Sequence, residues 1–218
     1  MTPRLRGKSR AERTEDLRLS ILDASLELFL EQGYEKTTTR QVLQEVGILN
    51  GSLYNIYKSK EDIFADLIMM AFEDVSKEVS LHLPEGADPC TKLTVLLGTF
   101  LNLSSRSPRI AELLVISHGR WEIHSKIVTA ISEWISDVDG ELDNDIIDLT
   151  MKLDACTSAT GTFLEKMYRE PDTFDLRSAI AIVASVVAAV MDHEDDFDIE
   201  LLIERLDGME FNICGIRL

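Results

Sequence analysis

GILNGSLYNIYKSKED, residues 47–62, places Asn50, Ser52, Tyr54, Asn55, Tyr57, Lys58 and Lys60 within sixteen positions. Few of these side chains suit a core. All can donate a hydrogen bond to an anion or lie flat against one. Upstream, Thr38 and Gln41 have capping-box spacing ahead of Val42, Leu43 and Val46, and Gly47 stops that helix. A short helix is predicted from about Asn50 to Tyr57, with Leu53, Ile56 and Tyr57 on its inner face. Ser59 and Asp62 repeat the cap spacing and launch a long helix carrying Ile63, Phe64, Leu67, Ile68, Ala71, Val75 and Val79. Two short helices joined by a tight glycine-containing turn form the helix-turn-helix pattern. In that pattern the second helix enters the major groove with its N-terminal residues on base edges.

The distribution of charge suits that reading. The formal net charge is −17, yet residues 1–62 hold ten Lys/Arg against ten Asp/Glu, so the whole excess of acid lies beyond them. Arg4, Arg6, Lys8, Arg10 and Arg13 form a basic arm ahead of the first acidic cluster. Such an arm can reach phosphate or a minor groove, or serve only as a solubilising tail.

Outside this region the chain reads as ordinary globular protein, 45% apolar and 28% charged over 218 residues. Strand alternation is nearly absent, and helical periodicity is everywhere. Leu17, Ile21, Ala24 and Leu28 share one face of a first helix that Gly33 ends. Beyond a break at Leu83–Gly86, helices are predicted at 89–105, 109–118, 121–138, 144–169, 173–192 and 198–207. The expectation is an all-α chain: an arm at 1–14, a helix-turn-helix head at 15–62, and a helical body at 63–218. The longest apolar run, Ala179–Met191, falls short of the roughly 18 residues needed to span a bilayer. The N-terminus carries no apolar signal segment. Cys90, Cys156 and Cys214 form no CxxC pair. A reduced, cytoplasmic protein with no membrane partner is expected.

Residues 21–64, ILDASLELFLEQGYEKTTTRQVLQEVGILNGSLYNIYKSKEDIF, strongly resemble the DNA-binding region of TetR-family transcriptional regulators. The marks are ILDASLELFLEQGY, the TTTR opening of the second helix, and GSLYNIYKSKEDI. The body after residue 80 carries no comparable motif. The resemblance implies a homodimer of all-helical subunits that binds a palindromic double-stranded DNA operator and releases it when a small-molecule effector enters the body. Carried over by position, the DNA contacts would be Thr38, Thr39 and Arg40, then Asn50, Gly51, Ser52, Tyr54, Asn55 and Tyr57, with Lys60 on phosphate. Two departures stand out. Leu49 replaces the usual capping serine, so Asn50 is expected to take the cap. Ile56 replaces a commonly polar or aromatic residue, which removes one phosphate contact.

For dimerisation, the 173–192 helix offers a stripe of Ile180, Val183, Val187 and Val190/Met191 beside small Ala181, Ala184 and Ala188. With the 144–169 helix it could form an intermolecular four-helix bundle. The effector pocket is expected among helices 63–82, 89–105, 109–118 and 121–138. Its candidate lining is Phe72, Phe100, Asn102, His118, Trp121, His124 and Trp134, each of which could equally be core packing. No cofactor is implied. His118 and His124 diverge by about 600° of helical rotation and have no third partner at metal-site spacing, so no metal is expected. Asp137–Asp143 fails as a calcium loop because Leu142 stands where glycine is required. No nucleophile elbow or phosphate-cradling loop is present, so the chain is not expected to be an enzyme. The reading is a ligand-responsive regulator, more in the manner of a repressor than an activator. The alternative is a ligand-binding or protein-interaction module with a vestigial DNA-binding head.

Overall fold

The boundaries of the first two helices and the start of the fourth are each set by a local signal. The computed structural model describes residues 9–136, 146–193, 197–213 and 216–217, without the side chains of Asn50, Ser52, Ile146, Ile147, Asn212, Ile213, Ile216 and Arg217. Helix α1, Arg10–Gln32, starts at Ser9, whose hydroxyl accepts from the Glu12 amide while Glu12 reaches back to the Ser9 amide. It ends at Gly33, whose φ of 90° only glycine adopts without strain. Helix α2, Thr39–Val46, has the expected Thr38/Gln41 capping box and a left-handed Gly47 after it. Helix α3, Asn50–Tyr54, is shorter than expected, because Ile56 and Tyr57 close a turn onto the Leu53 carbonyl. Helix α4 runs from Lys60 to His82, with the Ser59 hydroxyl accepting from the Asp62 amide.

Two compact units share the chain, residues 1–67 and 68–218, and the division falls inside α4. The first unit is held by an aromatic cluster of Phe29, Tyr34 and Phe64, with ring centroids 4.7 to 5.9 Å apart. Ile21, Leu22, Leu53, Ile63 and Leu67 fill the remaining core. The first turns of α4 therefore belong to the head, which is why this division lies a few residues beyond Asp62.

The second unit contains α5 (Pro89–Arg106), α6 (Pro108–His118), α7 (Trp121–Ser136), α8 (Ile146–Arg169), α9 (Leu176–Val190) and α10 (Ile199–Asp207). Asn212–Ile213 and Ile216–Arg217 add a two-residue antiparallel ladder that the sequence pattern did not signal. Nearly every residue of α5 from Lys92 to Ser104 is buried, which marks it as the central helix of this unit. Such a helix needs cover on all sides; α6, α7, α8 and α10 supply part of it, and α9 packs on it with Ile180, Val183, Ala184 and Val187 buried. This corrects the expectation that the same stripe is free for a partner. The apolar side chains α9 leaves open lie elsewhere, Ile182 being 48% exposed. Among the described residues no helix is long and apolar enough to cross a membrane.

Candidate nucleic-acid interface and internal cavity

Arg40, Gly51, Tyr54 and Asn55 all stand exposed on α2, on α3 and just after it. Tyr54 is 55% exposed although it is a large aromatic residue, so its ring is not part of the head's core. A Cβ added at Gly51 would meet nothing within 4 Å, leaving the α3 backbone open to close approach by a ligand. Thr39 is half-buried. Thr38 is exposed, but its hydroxyl is engaged in the α2 cap, donating to Gln41 Oε1 at 2.9 Å. Leu49, rather than Asn50, holds the N-cap position of α3 and makes no capping hydrogen bond. Its side chain stands 82% exposed. Asn50 and Ser52 lie on α3, their side chains outside the described set.

Two of the residues carried over from the resemblance are occupied within the head. Tyr57 is buried and donates its hydroxyl to Asp66. Arg18 grips the same carboxylate in two hydrogen bonds, Nε to Oδ2 at 2.7 Å and Nη2 to Oδ1 at 2.6 Å. Burial first, then Asp66, raises the Tyr57 phenol far above its ordinary range. Tyr57 therefore ties the turn after α3 to α4, beside the Arg18 clamp from α1, and is not presented to a ligand. Lys60 is half-buried, donates from Nζ to the Tyr34 carbonyl at 2.9 Å, and lies 4.1 Å from the Tyr34 ring centroid. Its charge is spent first on the head itself, a cation–π contact included. Of the basic arm, Arg10 and Arg13 sit exposed in the first turn of α1, while Arg4, Arg6 and Lys8 lie outside the described residues.

In the second unit a mostly apolar cavity of about 80 Å³ is lined by Ile68, Phe72, Leu97, Phe100, Ile131 and Leu164, with His118 and His124 at one end. Four of the seven candidate lining residues therefore meet around one space. The other three do not. Asn102 accepts from Arg106 Nε at 3.0 Å and donates to Asp207 at 3.2 Å, joining α5 to α10. Trp121 is 73% exposed at the start of α7. Trp134 lines a different hollow and donates its indole N–H to Ser80. Helix α8 contributes Thr157, Thr160 and Leu164, residues of a helix expected in the dimer bundle and not in the effector pocket. Gly161 was the available signal. A Cβ there would fall 2.3 Å from His118 Nε2, so only glycine admits the imidazole.

The His118 and His124 rings meet edge to face at 4.8 Å, and His124 Nε2 lies 2.7 Å from Asp154 Oδ1. The cavity hydroxyls are already bonded to carbonyls of their own helices, Ser117 to Leu114, Thr157 to Leu153 and Thr160 to Cys156. His118 is thus the polar group best placed to meet a ligand. Burial, and then its neighbour His124, hold His118 below the usual histidine range. A histidine with a depressed folded-state pKa contributes stability that is present at neutral pH. That stability is lost as pH falls through the unfolded value of about 6.5. The melting temperature is therefore expected to drop between pH 7 and 5.5. In His118→Gln the drop should be smaller, as thermal melts across that range would register.

One mixed cluster also appears among the described residues. Asp88, Cys90 and His193 place a carboxylate, a thiol and an imidazole nitrogen within 4.8 Å of one another. Both Asp88 oxygens already serve the start of α5, one accepting the Cys90 and Thr91 amides and the other the Thr91 hydroxyl. Burial pushes the Cys90 thiol up to about 12. The trio reads as a capped helix start beside a packed thiol. The acidic stretch Asp137–Asp143 lies outside the described residues.

The family model for "Bacterial regulatory proteins, tetR family" matches residues 21–67, from the middle of α1 into α4. The head belongs to the TetR family. Beyond this TetR head, the match to relatives is partial. The fatty acid metabolism regulator protein of Bacillus subtilis is 23% identical over 126 residues, 57% of this chain and 65% of that protein. The HTH-type transcriptional repressor KstR2 of Rhodococcus jostii is 32% identical over 82 residues, 38% of this chain and 40% of the repressor. The chain thus spans between two fifths and two thirds of the length of these two relatives. A TetR transcriptional regulator from Rhodococcus sp. RHA1 superposes with a TM-score of 0.63 at 16% identity. That match covers 86% of this chain and all of that one, so the likeness of fold extends past the TetR head.

Proposed function

We propose that this chain is a ligand-responsive transcriptional repressor that binds a palindromic operator as a homodimer in the cytoplasm. One observation carries the reading: the TetR head leaves Arg40, Gly51, Tyr54 and Asn55 exposed around its second short helix while Leu43, Leu53 and Tyr57 turn into its core. Arg40 supplies charge for phosphate, Asn55 an amide for base edges or phosphate, and Tyr54 a phenol for phosphate and a ring for a thymine methyl. The neutral charge balance of residues 1–62 spares the duplex the acidity of the rest.

Helix α4 offers a route for regulation. Its first turns carry Phe64 and Asp66 of the head's core and clamp, and its next turns carry Ile68, Ala71 and Phe72 of the cavity lining. A ligand filling the cavity touches α4 at Ile68, Ala71 and Phe72, and the chain of that helix is continuous with the head. Release of operator then requires that the ligand bind the DNA-incompetent arrangement more tightly than the competent one. The lining favours a small, largely apolar effector with one group able to hydrogen-bond His118. For the dimer, α8 and α9 leave Met151, Tyr168 and Ile182 exposed at 68%, 43% and 48%. Those side chains, and not Ile180, Val183 or Val187, are the ones available to a second copy. The relatives named above are regulators, in keeping with a non-catalytic role.

Selection of bound fragments from a random DNA pool at fixed moderate salt tests the proposal. The expected product is an inverted repeat whose half-sites are separated by about one or more helical turns. An unenriched pool, or a protein that sediments as a monomer on the enriched fragment, would overturn it.

A further inference from the structure

At 82% exposure Leu49 is the most open large apolar side chain among the described residues. It holds the N-cap position of α3 with extended backbone, φ −83° and ψ 152°, yet gives that helix no capping hydrogen bond. A serine, threonine, asparagine or aspartate on the same backbone would accept an amide hydrogen bond and steady this five-residue helix. Leucine here therefore serves neither the core nor the cap. The apolar residues on either side of it do serve the core, Leu43 and Leu53 being buried. Leu49 instead adjoins the surface assigned to DNA. It lines one open hollow together with Arg40, and Gly51, two residues on, leaves the α3 backbone bare. A single exposed leucine elsewhere on a surface would need no explanation. At the leading end of the helix that enters the major groove, it faces base edges. Those edges present hydrogen-bonding groups at every base pair, and only thymine adds an apolar one, its C5 methyl. Against any other base the leucine would strip water from a donor or acceptor and offer no partner in return.

We infer that Leu49 is a specificity-determining residue that packs on the C5 methyl of one thymine in each operator half-site. The inference rests on the operator binding proposed above and deepens it. The contact is separate from that of Tyr54, which lies five residues further along the chain. Because the leucine carries no charge, it adds discrimination between sequences and leaves non-specific, salt-dependent binding unaltered.

Deoxyuridine differs from thymidine only by that methyl, so replacing the thymines of the selected operator one at a time locates the contact. For the full-length parent protein, uracil at the Leu49 position should weaken binding about three- to fivefold in one half-site. With both half-sites changed the loss should multiply to about ten- to twentyfold. Leu49→Ala should bind the unmodified operator more weakly by the two-site factor and be indifferent to uracil at that position alone. Any thymine met by Tyr54 should stay sensitive in the same variant. Leu49→Ser should lose operator affinity equally while melting at or above the parent's temperature, because serine can cap α3. If every uracil effect persists in Leu49→Ala, the inference is overturned and operator binding itself still stands. A random pool that enriches nothing would overturn both together. A lower melting temperature in Leu49→Ser would also overturn the inference, by placing the leucine against protein, its own head or a second copy.

Discussion

Replacing Tyr54 with alanine is expected to weaken binding to the selected operator by roughly ten- to a hundredfold, the equivalent of about 1–3 kcal/mol for one good base or phosphate contact. The melting temperature should barely move. With more than half its surface open, Tyr54 contributes little to the head's core. Tyr57→Phe is the matched control and should behave the opposite way. Its ring stays buried, but the Asp66 carboxylate loses one of its donors and keeps Arg18, a change costing about 1–2 kcal/mol of stability. Operator affinity measured well below the melting temperature should survive that change. Fluorescence anisotropy with a labelled operator at one fixed salt concentration separates the two, since phosphate contacts make affinity steeply salt-dependent. Intact binding in Tyr54→Ala together with lost binding in Tyr57→Phe would reverse the assignment of the two tyrosines.

That pair also marks where the sequence was legible. The caps, the glycine stops and the all-α architecture follow from local chemistry that each segment carries within itself. Thr38 with Gln41, Ser59 with Asp62, Gly33 and Gly47 needed no knowledge of the rest of the chain. Tyr57 was half legible. Its spacing from Leu53 already turned it inward, and only the resemblance suggested a DNA contact. Lys60 was less so, because nothing local says that a carbonyl and an aromatic ring twenty-six residues earlier will hold its ammonium. The α9 stripe failed for a related reason. Periodicity says that Ile180, Val183 and Val187 share a face, but the identity of what covers that face depends on how apolar α5 is all round. Trp121, Trp134 and Asn102 show the same limit in the body, where an aromatic or an amide in the right helix can point to solvent, to another hollow or to a neighbouring helix. The residues that shape the His118 cavity from α8 were missed because periodicity showed a shared face on that helix without showing whether a partner or the chain's own cavity lies against it.

Gly161 is where that omission has the greatest consequence, and Gly161→Ala should be felt in both stability and response. In the interior of an exposed helix this change normally stabilises by about 1 kcal/mol. Here the new methyl would lie 2.3 Å from His118 Nε2, far inside contact distance, so the ring has to leave. One side is closed to it by His124, itself held by Asp154. The remaining direction is into the cavity, where an imidazole consumes much of the roughly 80 Å³ available. Overpacking of this kind costs about 1–3 kcal/mol, enough to outweigh the gain in helix propensity, so the melting temperature should fall. Any effector that releases the operator by entering this cavity should lose at least tenfold in potency, while operator affinity without effector stays near that of the parent. The double variant His118→Ala, Gly161→Ala supplies the decisive control. If the clash is the cause, removing the ring should return most of the stability, making the two substitutions strongly non-additive, as contacting residues are. A Gly161→Ala protein that melts higher than the parent and still answers to the effector would mean that His118 does not rest against α8, and the polar end of the cavity would have to be redrawn.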